Sequence, residues 1–174
     1  IKGLVKMILQ KQEDFWANQD EKVIQEYWDH DGADRKMEWL IDQIKNYDFE
    51  SIYEVGTFSG RNLYKLNQYL PDKKIGGSDI NKKALNFAKN KMPHITLVYE
   101  NIYDLDLYSK WDIVFTMGVM IHIPESGIEK ATQNLIEKAN KYLIHMEQVG
   151  DGTVLSRRNA QKFIWYPNLV DIYN

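Results

Sequence analysis

The chain predicts an α/β fold: a mostly parallel sheet with helices on both faces and an N-terminal helical cap. Three observations carry this. From Phe49 onward, short apolar runs alternate with helical stretches; the segment before Phe49 is helical in pattern; and no repeat, low-complexity tract or Gly/Ser linker marks an internal boundary. One domain over 1–174 follows, with a cap at 1–48, a core at 49–150, and a loop and helix start at 151–174.

Each element has its own warrant. Met37, Leu40, Ile41 and Ile44 fall at i, i+3, i+4 and i+7, one face of a helix entered near Asp31 or Asp34. The strands read "SIYEV", "KIGGSDI", "ITLVYEN", "WDIVFTMG" and "YLIHMEQ". Between them, "RNLYKLNQYL", "NKKALNFAKNKM" and Gly127 to Lys141 read as helices, the last on Ile128, Ala131, Leu135 and Ala139. Strands joined by helical crossovers run parallel, so a ligand belongs at their carboxyl ends.

Composition narrows the function classes. With 44% hydrophobic and 13% aromatic residues the chain can bury a substantial core. Its 22 Lys and Arg against 25 Asp and Glu leave a net charge of -3, which disfavours a nucleic-acid partner. No apolar run approaches the roughly 18 residues of a spanning helix, so the reading is a soluble, cytoplasmic protein without a membrane partner. Zero cysteines exclude a disulfide framework and a thiol nucleophile. His30, His94 and His145 show no paired spacing, so no metal site is supported and structural or surface roles are expected of them.

"SIYEVGTFSGRNLYKL" is the informative stretch. A strand ending in Glu54 opens through Gly56 and Gly60 into a helix, a turn that tolerates unusual backbone angles and close approach of a ligand. Asp79 ends the next strand 19 residues beyond Gly60, near the ~20 expected of an acid gripping a ribose diol. Together these describe a nucleoside site. Phe58 stands where a dinucleotide fingerprint would want glycine, which disfavours a nicotinamide-dependent oxidoreductase.

The pattern E-x-G-x-x-x-G-x-N resembles motif I of the class I S-adenosylmethionine-dependent methyltransferases, a Rossmann-like family. The resemblance implies S-adenosylmethionine as cofactor and a cofactor-binding core at 49–150. It places Glu54, Gly56, Thr57, Gly60 and Asn62 at the first motif, and Asp79 with Ile80 at the ribose. "ENIYDLDL" is similar to the segment flanking the adenine, at Asn101 and Ile102. "WDIVFTMGVMIHIP" looks like the fourth motif, with Met117, Gly118 and Val119 at the strand's carboxyl end. Trp16 belongs to the N-terminal segment that caps the pocket in this family, with Tyr27 and Trp28 further along; simple core packing is the alternative for these aromatics. "FW", "GRN" and "GVMIHI" are similar to methylases associated with pseudaminic acid biosynthesis. The family sheet normally closes with an antiparallel pair after the fifth strand. "TVLSRRNAQKFIWYPNLVDIYN" reads instead as a loop and a helix start, so those strands are expected to be missing, and pairing with a second copy to form a homodimer would cover the edge.

Methyl transfer from a sulfonium needs positioning more than catalytic side chains, although a hydroxyl or ammonium acceptor must lose a proton. His122, in the loop after the fourth strand, is the best-placed base, with loop anchoring as its structural alternative. Glu147 ends the fifth strand and is the second catalytic candidate, with a solvated strand end as its alternative. Arg61 is placed to meet a carboxylate or to face solvent. "SRRNAQKFIWY" is the nearest approach to a basic and aromatic patch. The expected activity is transfer of a methyl group to O or N of a small-molecule acceptor, a sugar among the options. A non-catalytic module that keeps the cofactor pocket is the main rival, and cofactor binding without product formation would distinguish it.

Overall fold

The computed structural model describes residues 2–30, 34–148, 168, 169 and 173, with side chains from residue 7 onward except 8. Three helices come first: α1 (Lys2–Ala17), α2 (Glu21–Asp29) and α3 (Asp34–Ile44). They are followed by β1 (Ser51–Val55), α4 (Arg61–Tyr69), β2 (Lys74–Asp79), α5 (Lys82–Lys91), β3 (Thr96–Tyr99), β4 (Trp111–Met117), a 3-10 turn (Met120–His122), α6 (Glu125–Lys138) and β5 (Ala139–Met146). The sheet order is β3-β2-β1-β4-β5, every pair parallel.

Strand residues alternate between the two faces of the sheet, because successive side chains point opposite ways. Ile52, Ile113 and Phe115 pack with Met37, Leu40, Ile44, Leu63 and Ala88 beneath α3, α4 and α5. Tyr53, Val55 and Val114 pack with Ala131 and Leu135 of α6 on the other face. The four-residue stripe expected before Phe49 is buried in full, on a helix that starts at Asp34.

Local capping sets several boundaries. The Asp20 carboxylate accepts from Val23 N at 3.0 Å to begin α2, and the Asn81 side chain accepts from Ala84 N at 2.9 Å to begin α5. The last helix differs from the sequence reading. It begins at Glu125, directly after Pro124, and ends at Lys138 rather than Lys141. Ala139 leaves the helix in extended geometry because the backbone from there pairs with β4, starting at Trp111. Sheet pairing outcompetes the helical stripe, so Ala139 belongs to a strand. The expectations for residues 149–167, including the missing antiparallel strands and the "SRRNAQKFIWY" patch, lie outside the described residues.

Among the described residues no helix is long and apolar enough to cross a membrane. The order places β1 beside both β2 and β4, so the chain reverses its direction of winding there. The crevice at that reversal, outside the strands' carboxyl ends, is where ligands of such sheets bind.

Candidate functional site

A cavity of about 590 Å3 opens at that crevice, within the roughly 300–1,000 Å3 common for small-molecule sites. The ends of β1, β2 and β4 and the segment after β3 line it, whereas the end of β5 does not. Gly56, Thr57 and Asn62 come from the β1–α4 turn, Asp79 and Ile80 from the end of β2, Asn101 and Ile102 from the segment after β3. Met117, Gly118, Val119 and His122 come from β4 and its loop, and Trp16 closes the cavity from α1. Three other candidates, Glu54, Gly60 and Glu147, are not among the lining residues.

Those three act from behind the wall. Glu54 is 1% exposed; its Oε1 accepts the Asn62 amide at 2.6 Å and its Oε2 the Thr57 hydroxyl at 2.8 Å. Burial pushes its pKa up to about 7, against the pull of those two hydrogen bonds. Gly60 has φ +77, and a Cβ there would meet Ala88 Cβ at 2.7 Å, so helix α5 rather than a ligand excludes a side chain. At Gly56, φ +82, a Cβ would meet Val119 Cγ2 at 2.4 Å. Phe58 between them is itself left-handed at φ 46.

Glu147 braces the loop after β4. Its Oε1 accepts from Thr116 Oγ1 at 2.8 Å and from Val119 N at 3.0 Å, while burial raises its pKa. His145 Nδ1 lies 2.7 Å from the same Thr116 hydroxyl. Since that hydroxyl has one proton and gives it to Glu147, the ring must donate to it. Burial holds the His145 pKa down at about 4, consistent with a neutral structural ring.

Asp79 borders the cavity with both oxygens already engaged, Oδ2 accepting from Phe58 N and Oδ1 from Asn81 N, each at 2.8 Å. Burial nonetheless lifts its pKa to about 6. Each oxygen keeps a second lone pair for a ligand hydroxyl. Asn101 Oδ1 accepts from Tyr103 N at 3.0 Å, which shapes the turn that presents Ile102.

The upper wall is aromatic. The Trp16 ring lies 4.3 Å from the His122 ring and 6.3 Å from Phe58, and Tyr27 packs on Phe58 at 4.9 Å. Trp28 instead packs against Tyr64 and Phe87, away from the wall.

The sequence reading missed Gln12, Glu13, Lys36, Glu100 and Tyr103, all of which line the cavity. Gln12 is 5% exposed and stands in register with Leu9 and Trp16, so a glutamine in an otherwise apolar stripe was the available signal. Glu100 gave none. It sits in a buried cluster, its Oε2 accepting from the Tyr53 hydroxyl at 2.9 Å and its Oε1 facing Lys138 Nζ at 3.6 Å. Four buried polar atoms on lining residues have no hydrogen-bond partner: Gln12 Oε1, Trp16 Nε1, Arg61 Nη1 and Tyr103 OH. An unmet buried donor or acceptor costs about 1–3 kcal/mol, so their gathering on one cavity marks a wall shaped for a polar ligand.

A parallel sheet with helices on both faces, its crevice lined by a glycine turn and a strand-end acid, defines a nucleoside-binding α/β domain. The chain belongs to the methyltransferase domain family, whose model matches residues 52–140. No curated protein matches it. Its fold is similar to that of the sugar N-methyltransferase KedS8 from Streptoalloteichus, at 18% identity and TM-score 0.59 over 68% of this chain and 50% of that one. It is similar also to DesVI of Streptomyces venezuelae, at 16% identity and TM-score 0.65 over 79% and 61%. A third similar structure is the magnesium protoporphyrin IX methyltransferase of Synechocystis with bound S-adenosylhomocysteine, at 23% and 0.55 over 65% and 52%. The chain thus spans between half and three-fifths of these proteins' lengths.

Proposed function

We propose that this chain is a class I methyltransferase domain that uses S-adenosylmethionine and methylates an oxygen or nitrogen of a small-molecule acceptor. One observation supports this above the others: a single cavity joins the Asp79 carboxylate, the Gly56 turn, the aromatic wall and His122. The residues fit the cofactor. Asp79 has free lone pairs for ribose hydroxyls, Ile80 and Ile102 offer apolar contact to the adenine beside Asn101, and Thr57, Asn62 and Met117 to Val119 shape the floor.

The cofactor supplies a methyl group on a positive sulfonium, so no enzyme nucleophile is required. Trp16, Phe58 and Tyr27 exclude water and present π faces that favour a cation. His122 takes the acceptor's proton on a ring nitrogen, and Glu147 holds the main chain of Val119 so that His122 stays at the cavity. The acceptor in this reading is a nonulosonic or related sugar. The likeness of "FW", "GRN" and "GVMIHI" to pseudaminic acid methylases supports it, as does a sugar N-methyltransferase among the similar folds.

Calorimetric titration with S-adenosylmethionine, S-adenosylhomocysteine and NADH tests the cofactor. Binding of the first two and not the third is expected; the reverse order overturns the reading. Incubation with a sugar panel should then form S-adenosylhomocysteine. Binding without any such product would favour the non-catalytic module.

A further inference from the structure

Arg61, the first residue of α4, borders the cavity with its side chain 11% exposed. Only one end of its guanidinium is accounted for. Nη2 donates to Asp34 Oδ1 at 2.6 Å, whereas Nη1 is buried with no hydrogen-bond partner. Asp34 is not a private partner either, since Lys65 Nζ lies 3.2 Å from its Oδ2. One carboxylate between two cations leaves a surplus of one positive charge beside the cavity. Asp34 therefore fixes the plane of the guanidinium without neutralising the cluster.

A fixed, half-satisfied guanidinium is built for planar anions, because its fork matches two carboxylate oxygens. Lys36, the other basic chain on the wall with a long flexible stem, is exposed and strongly hydrated, so it gains less from an incoming anion. The adenosine part of the methyl donor carries no anionic group, while its amino-acid end carries one carboxylate. We infer that Arg61 Nη1 anchors the carboxylate of the donor's amino-acid end, with Asp34 as the positioning residue that holds the guanidinium. This rests on the methyl-donor reading above.

The test uses three ligands titrated into the intact chain: S-adenosylhomocysteine, its decarboxylated propylamine analogue, and methylthioadenosine, which lacks the amino-acid end. The wild-type chain is expected to bind S-adenosylhomocysteine at least ~10-fold more tightly than the decarboxylated analogue, the worth of a charge-assisted pair. Arg61→Leu should remove that preference while leaving methylthioadenosine affinity within ~3-fold, and Asp34→Asn should reduce it in part. Equal wild-type affinity for the first two ligands overturns the assignment without any variant having to fold. So does a loss in Arg61→Leu shared equally by all three, or Arg61→Leu that keeps S-adenosylhomocysteine affinity and loses only turnover, which would assign the guanidinium to the acceptor. A wild-type chain that binds none of the three brings down the donor reading itself.

Discussion

The Asn62 amide donates to Glu54 Oε1 across 2.6 Å, tying the first turn of α4 to the end of β1 beneath the glycine turn. Glu54 also receives the Thr57 hydroxyl, so one buried acid holds both flanks of the turn. Its fixity has a consequence in pH.

Burial raises Glu54 from 4.5 to about 7 and Asp79 from 3.8 to about 6. The folded chain therefore binds protons more tightly than the unfolded chain between those limits. The sign follows: stability from these groups is fully present below their unfolded values and declines as pH rises through 6 and 7. The depressed pKa of His145 pushes the other way between about 4 and 6.5, so the melting temperature of the ligand-free chain should fall most clearly between pH 6 and 7. Glu54→Gln keeps an acceptor for Asn62 and removes about half of the two acids' pH-dependent stabilisation, of order 3 kcal/mol between the unfolded and folded values of Glu54. Parallel melting curves for the two proteins across that window would refute the account.

Gly56→Ala meets two penalties, a left-handed backbone and Val119 Cγ2 at 2.4 Å. A loss of about 3 kcal/mol is expected in urea unfolding. Gly56→Ala with Val119→Ala removes the clash and leaves the backbone cost, so the two changes should couple favourably by about 1 kcal/mol. Strict additivity would mean that Val119 is not the obstacle.

His122 packs against Trp16 with the two rings tilted by 54°, so its removal confounds packing with proton transfer. His122→Phe keeps a ring beside Trp16. We expect S-adenosylhomocysteine affinity within ~3-fold of wild type and turnover lower by about 100-fold on a hydroxyl acceptor. Unchanged turnover in both His122→Phe and His122→Ala would leave the histidine a loop anchor.

Lys138, 1% exposed, donates to the Asp106 carbonyl at 2.6 Å and faces Glu100. Lys138→Met leaves the buried Glu100 carboxylate without its cation, a loss of about 3 kcal/mol. Because Glu100 lines the cavity next to Asn101 and Ile102, ligand affinity should fall with stability. A chain as stable as wild type would show that the pair contributes nothing.

Much of the fold was legible because its signals are local. Apolar runs and helical stripes recur with the period of the backbone itself, so five strands and their crossover helices could be placed in order. The glycine turn and its acid were legible for the same reason, since their spacing in the chain is set by one strand, one helix and one return. The end of α6 was not, because pairing of Ala139 with Trp111 draws on a strand 28 positions away. Glu54 and Glu147 were read as facing the site because strand ends point there; whether a side chain enters the cavity or braces its wall depends on partners such as Asn62 and Val119.

The sequence by itself determined the order of elements, the parallel class of the sheet and the turn that opens on its carboxyl edge, since each depends on neighbours along the chain. Only the tertiary structure decided that Trp16 would meet His122, that Asp34 would hold Arg61 and that Glu100 would be buried with Lys138. Those contacts join segments with no shared periodicity, and packing of α1 on α6, of α3 on α4 and of α6 on the sheet is what brings them together.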